Sequence, residues 1–73
     1  MLVTRMHEYR KRFGVSQAEL AEMCECRRET IGKLENGKYN PSLRLAMRVA
    51  TVFGATVEDI FRFEDEDWHG PLE

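Results

Sequence analysis

Arg27, Arg28, Glu29, Thr30 and Lys33 fall close together in the chain, and their chemistry suits contact with a polyanion. A guanidinium such as that of Arg28 can donate two hydrogen bonds to O6 and N7 of guanine, worth about 1–3 kcal/mol of discrimination. Glu29 only accepts, which suits the cytosine amine and repels phosphate. It equally suits an ion pair that steers Arg27 or Arg28. Lys33 can reach a base or a phosphate. Lys38, Tyr39, Asn40, Ser42 and Arg44 follow; groups of these types contact a sugar-phosphate chain and position a protein on it without reading sequence. Other chemistry has little support. No nucleophile–base arrangement, phosphate loop or paired carboxylate stands out, so no enzyme is expected. Cys24 and Cys26 form a lone C-x-C, with His7 and His69 far away in sequence, a poor match to a zinc set. The pair is assigned to the core, with no metal or cofactor; a redox- or metal-responsive pair is the alternative.

These residues need helices to hold them. Ser16 followed by Glu19 is a capping box, and Leu20, Ala21 and Cys24 then repeat at helical spacing. A turn near Glu25 leads to a second apolar set, Cys26, Ile31 and Leu34, ending at Asn36-Gly37. Small Ala21 lets two helices cross closely. Upstream, Thr4 is placed to cap a helix from Arg5 to about Phe13, with Met6, Tyr9 and Phe13 on one side and Gly14 as its stop. Val15 can staple the entry to the next helix. Downstream, Pro41-Ser42 opens a fourth helix with Leu43, Ala46, Val49, Ala50 and Phe53 apolar, and Arg44 and Arg48 outward. Thr56 with Asp59 opens a short fifth helix through Val57, Ile60 and Phe61. Phe61–Glu64 then alternates like a strand, and MLVT at the start is its candidate partner.

The chain of 73 residues makes one domain over 1–64 with an acidic tail over 65–73. A chain this short buries only ~60% of its unfolded surface, so the core must be helix-rich or shared with a partner. The net charge of −2 conceals a division. Residues 1–57 carry ten Lys/Arg against six acids, a net +4, whereas residues 58–73 carry one Arg against seven acids, a net −6. A basic body suits a polyanion, and the acidic end suits solvent or a basic protein partner. No run approaches a membrane span, no signal peptide opens the chain, and two Cys imply no disulfide framework. A cytoplasmic protein is expected.

Taken together, R10-x3-G14-V15-S16-Q17-x2-L20-A21, T30-I31-x2-L34-E35-N36-G37-K38-Y39-N40-P41-S42-L43 and A46-x2-V49-A50-x3-G54 resemble the Xre/Cro-type helix-turn-helix repressors, over roughly residues 5–61. The ends resemble its small stand-alone members, typified by the cytolysin repressor. The resemblance implies an all-α, five-helix, lambda-repressor-like DNA-binding domain, with a two-stranded antiparallel sheet from the chain ends. It implies a sequence-specific repressor that binds a near-palindromic operator in double-stranded DNA as a homodimer.

Carried onto this sequence, the resemblance makes Arg28 and Glu29 base readers, with Arg27, Thr30 and Lys33 on the same face. Ser16, Gln17, Asn36, Lys38, Tyr39, Asn40 and Arg44 then complete the DNA-facing set, Gln17 at the backbone. Arg10 and Glu35 become an internal ion pair that ties the first helix to the end of the recognition helix. Val57, Phe61 and Phe63 offer a dimer seam, although the two Phe can equally close the core of one chain. The alternative function is an antitoxin-like interaction module that autoregulates through the same helices. Three residues depart from the pattern. Glu25 stands where the turn usually has Gly, Arg27 replaces the usual Ser or Thr cap, and Glu29 replaces a common Gln.

Overall fold

Capping side chains fix the start of three of the five helices in the computed structural model, which describes residues 1–64. Helix α2, Gln17–Cys24, begins at a full capping box: Glu19 N–H donates to Ser16 Oγ at 3.0 Å and Ser16 N–H to Glu19 Oε1 at 2.9 Å. The same device, Thr56 with Asp59, opens α5, Val57–Ile60. Ser42 caps α4, Leu43–Phe53, by accepting from Leu45 N–H at 3.1 Å. By contrast, α3, Arg28–Glu35, starts after Arg27 with no side-chain cap. Helix α1, Met6–Phe13, stops at Gly14 in the left-handed conformation, φ 67°.

Thr4 does not cap α1. Arg5 holds the cap position without a side-chain bond, because Thr4 belongs to strand β1, Leu2–Thr4. That strand pairs antiparallel with β2, Phe61–Phe63, in the register Leu2↔Phe63, Val3↔Arg62, Thr4↔Phe61. The fifth helix therefore ends at Ile60, one residue before its expected end. Extended backbone at Thr4 turns its hydroxyl toward the end of α3, where it donates to the Glu35 carbonyl at 3.1 Å. Gly37 lies alongside with φ 73°, so close that a Cβ there would sit 2.5 Å from the Leu2 carbonyl oxygen.

One core binds all seven elements. Met6, Leu20, Ile31, Leu34, Val49 and Ile60 are fully buried at its centre. Ala21, Cys24, Ala46 and Ala50 are also buried, and their small side chains let the helices approach. Three residues, Phe13, Leu43 and Cys26, depart from the apolar pattern. Phe13 is half exposed, with one edge on Phe53, ring centroids 5.4 Å apart, because it lies on the last turn of α1 beyond the core. Leu43 lies on the first turn of α4 and is 73% exposed, and Met47 one turn later is 54% exposed. Cys26 is only half-buried, since it follows the turn and not a helix. The acidic tail, 65–73, lies outside the described residues.

Candidate nucleic-acid interface

Helices α2 and α3 are joined by Glu25, Cys26 and Arg27, and the joint turns on Glu25. Its φ of 58° and ψ of 43° are left-handed, and among the described residues no other non-glycine has positive φ. A side chain there costs about 1 kcal/mol relative to glycine. The turn is held by Cys26 N–H donating to Ala21 C=O at 3.0 Å, a helix-ending bond. Outside it, Arg48 Nη1 of α4 approaches Glu25 Oε1 at 3.2 Å.

The turn sends α3 along the surface with Ile31 and Leu34 buried. Arg27, Arg28, Glu29 and Lys33 are exposed, and Thr30 is half-buried. Neither Arg27 nor Arg28 pairs with Glu29: among the described residues, none of the three forms an ion pair or side-chain hydrogen bond. The steering pair weighed for Glu29 is absent, and two guanidiniums stand with their donors open. Beyond α3, Asn36, Lys38, Tyr39 and Asn40 are exposed in the connection to α4, and Arg44 is exposed on its first turn. A cavity of about 400 Å³ gathers Thr30, Tyr39, Ser42 and Arg44 on one side of the domain. Ser16 is exposed at the start of α2.

The end of α3 is anchored by a charged cluster. Glu35, its side chain 8% exposed, receives Arg10 Nη2 at 2.9 Å and Nε at 3.1 Å, a two-pronged contact. Gln17 Nε2 donates to the same carboxylate at 3.0 Å, and His7 Nδ1 lies 3.0 Å from it. Arg10 also donates to Val15 C=O at 3.1 Å. Burial alone raises the Glu35 pKa. The hydrogen bonds from Arg10 and Gln17, the Arg10 charge and the His7 contact outweigh it and hold the carboxyl below its ordinary value. His7 was not foreseen in this cluster, although its place three residues before Arg10 puts both on one helix face. Thr4 and Gly37 were likewise missed, because only the folded chain brings β1 onto α3.

Gln17 is drawn inward. Its carbonyl oxygen lies 3.9 Å from where a Cβ at Gly32 would be, an ordinary contact distance against α3. Of the residues expected at a dimer seam, Phe61 is buried, whereas Val57 and Phe63 are half-buried. These three line a cavity of about 490 Å³ with Leu43, Met47, Glu58 and Arg62. Burial pushes both cysteine thiols up; for Cys24 the neighbouring Cys26 adds to this and Arg48 opposes it.

The helix-turn-helix family model matches residues 6–60 of this chain. The chain belongs to the Xre/Cro-type helix-turn-helix family. An HTH-type transcriptional regulator of Archaeoglobus fulgidus is 55% identical over 67 residues, spanning 92% of this chain and 96% of the relative. The regulator MJ0272 of Methanocaldococcus jannaschii is 41% identical over 86% of this chain and 96% of its own length. Among solved structures, the restriction-modification controller protein C.AhdI of Aeromonas hydrophila superposes with a TM-score of 0.70 at 31% identity, covering 75% of this chain and 83% of that one. SinR, the master regulator for biofilm formation, solved in complex with DNA, gives 0.68 at 31% identity over 74% and 87%. This helix-turn-helix domain is thus that of a transcriptional regulator, a class without enzymatic activity. Among its described residues no helix is long and apolar enough to cross a membrane.

Proposed function

We propose that the protein is a sequence-specific transcriptional repressor that binds a near-palindromic operator in double-stranded DNA as a homodimer. The observation that carries this is the open row of Arg27, Arg28 and Lys33 on a helix whose far end is locked by the Glu35 cluster. A rigid helix with unpaired donors keeps those donors for base edges and phosphates. Arg28 reads guanine, Glu29 accepts from cytosine, and Thr30 and Lys33 complete the reading face. Lys38, Tyr39, Asn40, Ser42 and Arg44 hold the sugar-phosphate chain, with Ser16, Gln17 and Asn36 at the ends of α2 and α3. Gln17 has its amide engaged with Glu35, so at the start of α2 the free backbone N–H groups are the phosphate donors.

A single α3 spans too few base pairs to specify an operator, and two placed about 34 Å apart on DNA solve this. The apolar cavity edged by Val57 and Phe63 supports a self-complementary seam at that end. Phe61 contributes there only the edge that its burial leaves open. Selection of bound duplexes from a random pool tests the whole reading. The expected product is a motif with two inverted half-sites; a pool without enrichment sinks the proposal, and a single unrepeated half-site removes its dimeric part.

A further inference from the structure

Cys24 and Cys26 play no part in the DNA reading, yet they flank the one strained residue of the turn. Cys24 closes α2, Glu25 carries the left-handed kink, and Cys26 follows it. Two residues of chain separate their Cα atoms by at most about 7 Å. Both are free cysteines, and both line one open cavity with Thr30, Tyr39 and Arg48.

We propose that this pair is a binding site for a soft monovalent metal ion of the Cu(I) type, held as a bis-thiolate. Thiolates select soft ions, and metal–sulfur bonds of roughly 2.3 Å let one ion bridge sulfurs about 4.6 Å apart. Zinc wants four such ligands in a structural site, and among the described residues no group of three or more His, Cys, Asp or Glu could hold a metal. Cu(I) is satisfied by two sulfurs. On binding, each S–H bond breaks as a Cu–S bond forms, two protons leave to solvent, and copper stays Cu(I). The complex carries one negative charge, and the Arg48 guanidinium on the same cavity, steadied by Glu25 at 3.2 Å, faces it. Tyr39 and Arg44 also line this cavity. Here the inference rests on the DNA reading: an anionic complex beneath these phosphate contacts weakens operator binding.

The test presents Cu(I) to the reduced full chain without oxygen, in a buffer of the coloured chelator bicinchoninate. One equivalent of copper per chain leaves the chelator, and X-ray absorption finds two sulfur neighbours. Cys26→Ala, a small change at a half-buried position, abolishes the transfer with an unaltered far-ultraviolet spectrum, and Cys26→Ser does the same. Arg48→Gln weakens uptake by about tenfold, as loss of a supporting group around a metal does. A chelator that keeps its colour, or equal uptake by wild type and Cys26→Ala, overturns the site. In a parallel arm, loaded protein binds the selected duplex more weakly than metal-free protein. Uptake without that weakening overturns the regulatory half and leaves the site standing. Metal-free protein that binds no duplex counts against the DNA reading alone, since the copper titration is scored without DNA.

Discussion

The Gln17 side-chain amide donates to Glu35 Oε1 at 3.0 Å and so joins the first turn of α2 to the last residue of α3. Arg10 closes on the same carboxylate from α1. Three helices therefore meet at one acid whose side chain is largely buried, and the direction of α3 depends on it. Such a cluster fixes orientation more than it adds net stability, because desolvation offsets much of the Coulombic gain.

Removing one partner is another matter. Glu35→Ala leaves the Arg10 guanidinium, with its side chain 14% exposed, without its carboxylate partner and with the Val15 carbonyl still accepting from it. A loss of about 3 kcal/mol is expected, which lowers Tm by more than about 10 °C in a domain of this size. Calorimetry or thermal melting checks it, and an unchanged Tm would show that the cluster is dispensable.

Acid should weaken the fold through the same residue. Glu35 is held below its ordinary value in the folded chain, so the unfolded chain binds the proton first as pH falls. This contribution is complete above about pH 4.5, the ordinary value, and is lost as pH drops through the lower, folded one. Glu19 and Asp59, lowered by hydrogen bonds from the Ser16 and Thr56 backbone, act in the same direction. Denaturant titrations of wild type against Glu35→Gln isolate the Glu35 part, and the variant should show the flatter acid limb.

Two substitutions at positive φ should have opposite signs. Glu25→Gly relieves the left-handed strain and gives up only an exposed ion pair with Arg48, which is worth little. Its denaturation midpoint should rise by the equivalent of about 0.5–1 kcal/mol. Gly37→Ala adds the same strain and drives a Cβ into the Leu2 carbonyl. A loss of about 2 kcal/mol or more is expected. If both changes move the midpoint the same way, the account of the turns is wrong.

On DNA, Arg28→Ala should relax preference at one base pair in each half-site. Lys38→Ala should weaken every sequence about equally and reduce the salt slope by about 1. Repeating the site selection with each variant separates them, and an unchanged motif from Arg28→Ala would move the reading face elsewhere.

The dimer seam calls for a surface variant. Phe61→Arg would place a charge in the core, since Phe61 is 7% exposed. Met47→Glu, at an exposed position on the same cavity, reaches the seam and spares the core. Sedimentation at micromolar concentration should find wild-type dimers and Met47→Glu monomers. A wild-type monomer both free and on DNA refutes the dimer.

Much of the architecture was legible because local chemistry dictates it. Ser16 with Glu19 and Thr56 with Asp59 announce helix starts through side chains three residues apart. Gly14 and Gly54 mark their ends by the one conformation they tolerate cheaply. Apolar spacing located Ile31, Leu34, Val49 and Phe53 in the core. Several long-range contacts left no such trace. Thr4 reads as a cap until β2 pairs with its backbone, and Leu43 reads as part of the apolar face of α4 although its place on the first turn leaves it exposed. Gln17 reads as a DNA-backbone contact alone, since only the folded chain brings Glu35 within reach of its amide.

The pairing of Leu2 with Phe63 has a consequence for the order of folding. Together with the Glu64 N–H bond to Met1 C=O at 3.0 Å, it closes the longest loop in the described chain, whereas α2, α3 and α4 meet through nearer neighbours. Loop-closure entropy delays such a contact, so the helices should assemble first and the β1–β2 ribbon afterwards. Substitutions in the ribbon would then quicken unfolding while leaving the refolding rate nearly untouched. Because β1 also bears on the end of α3 through Thr4 and Gly37, the last step of folding is the one that seats α3.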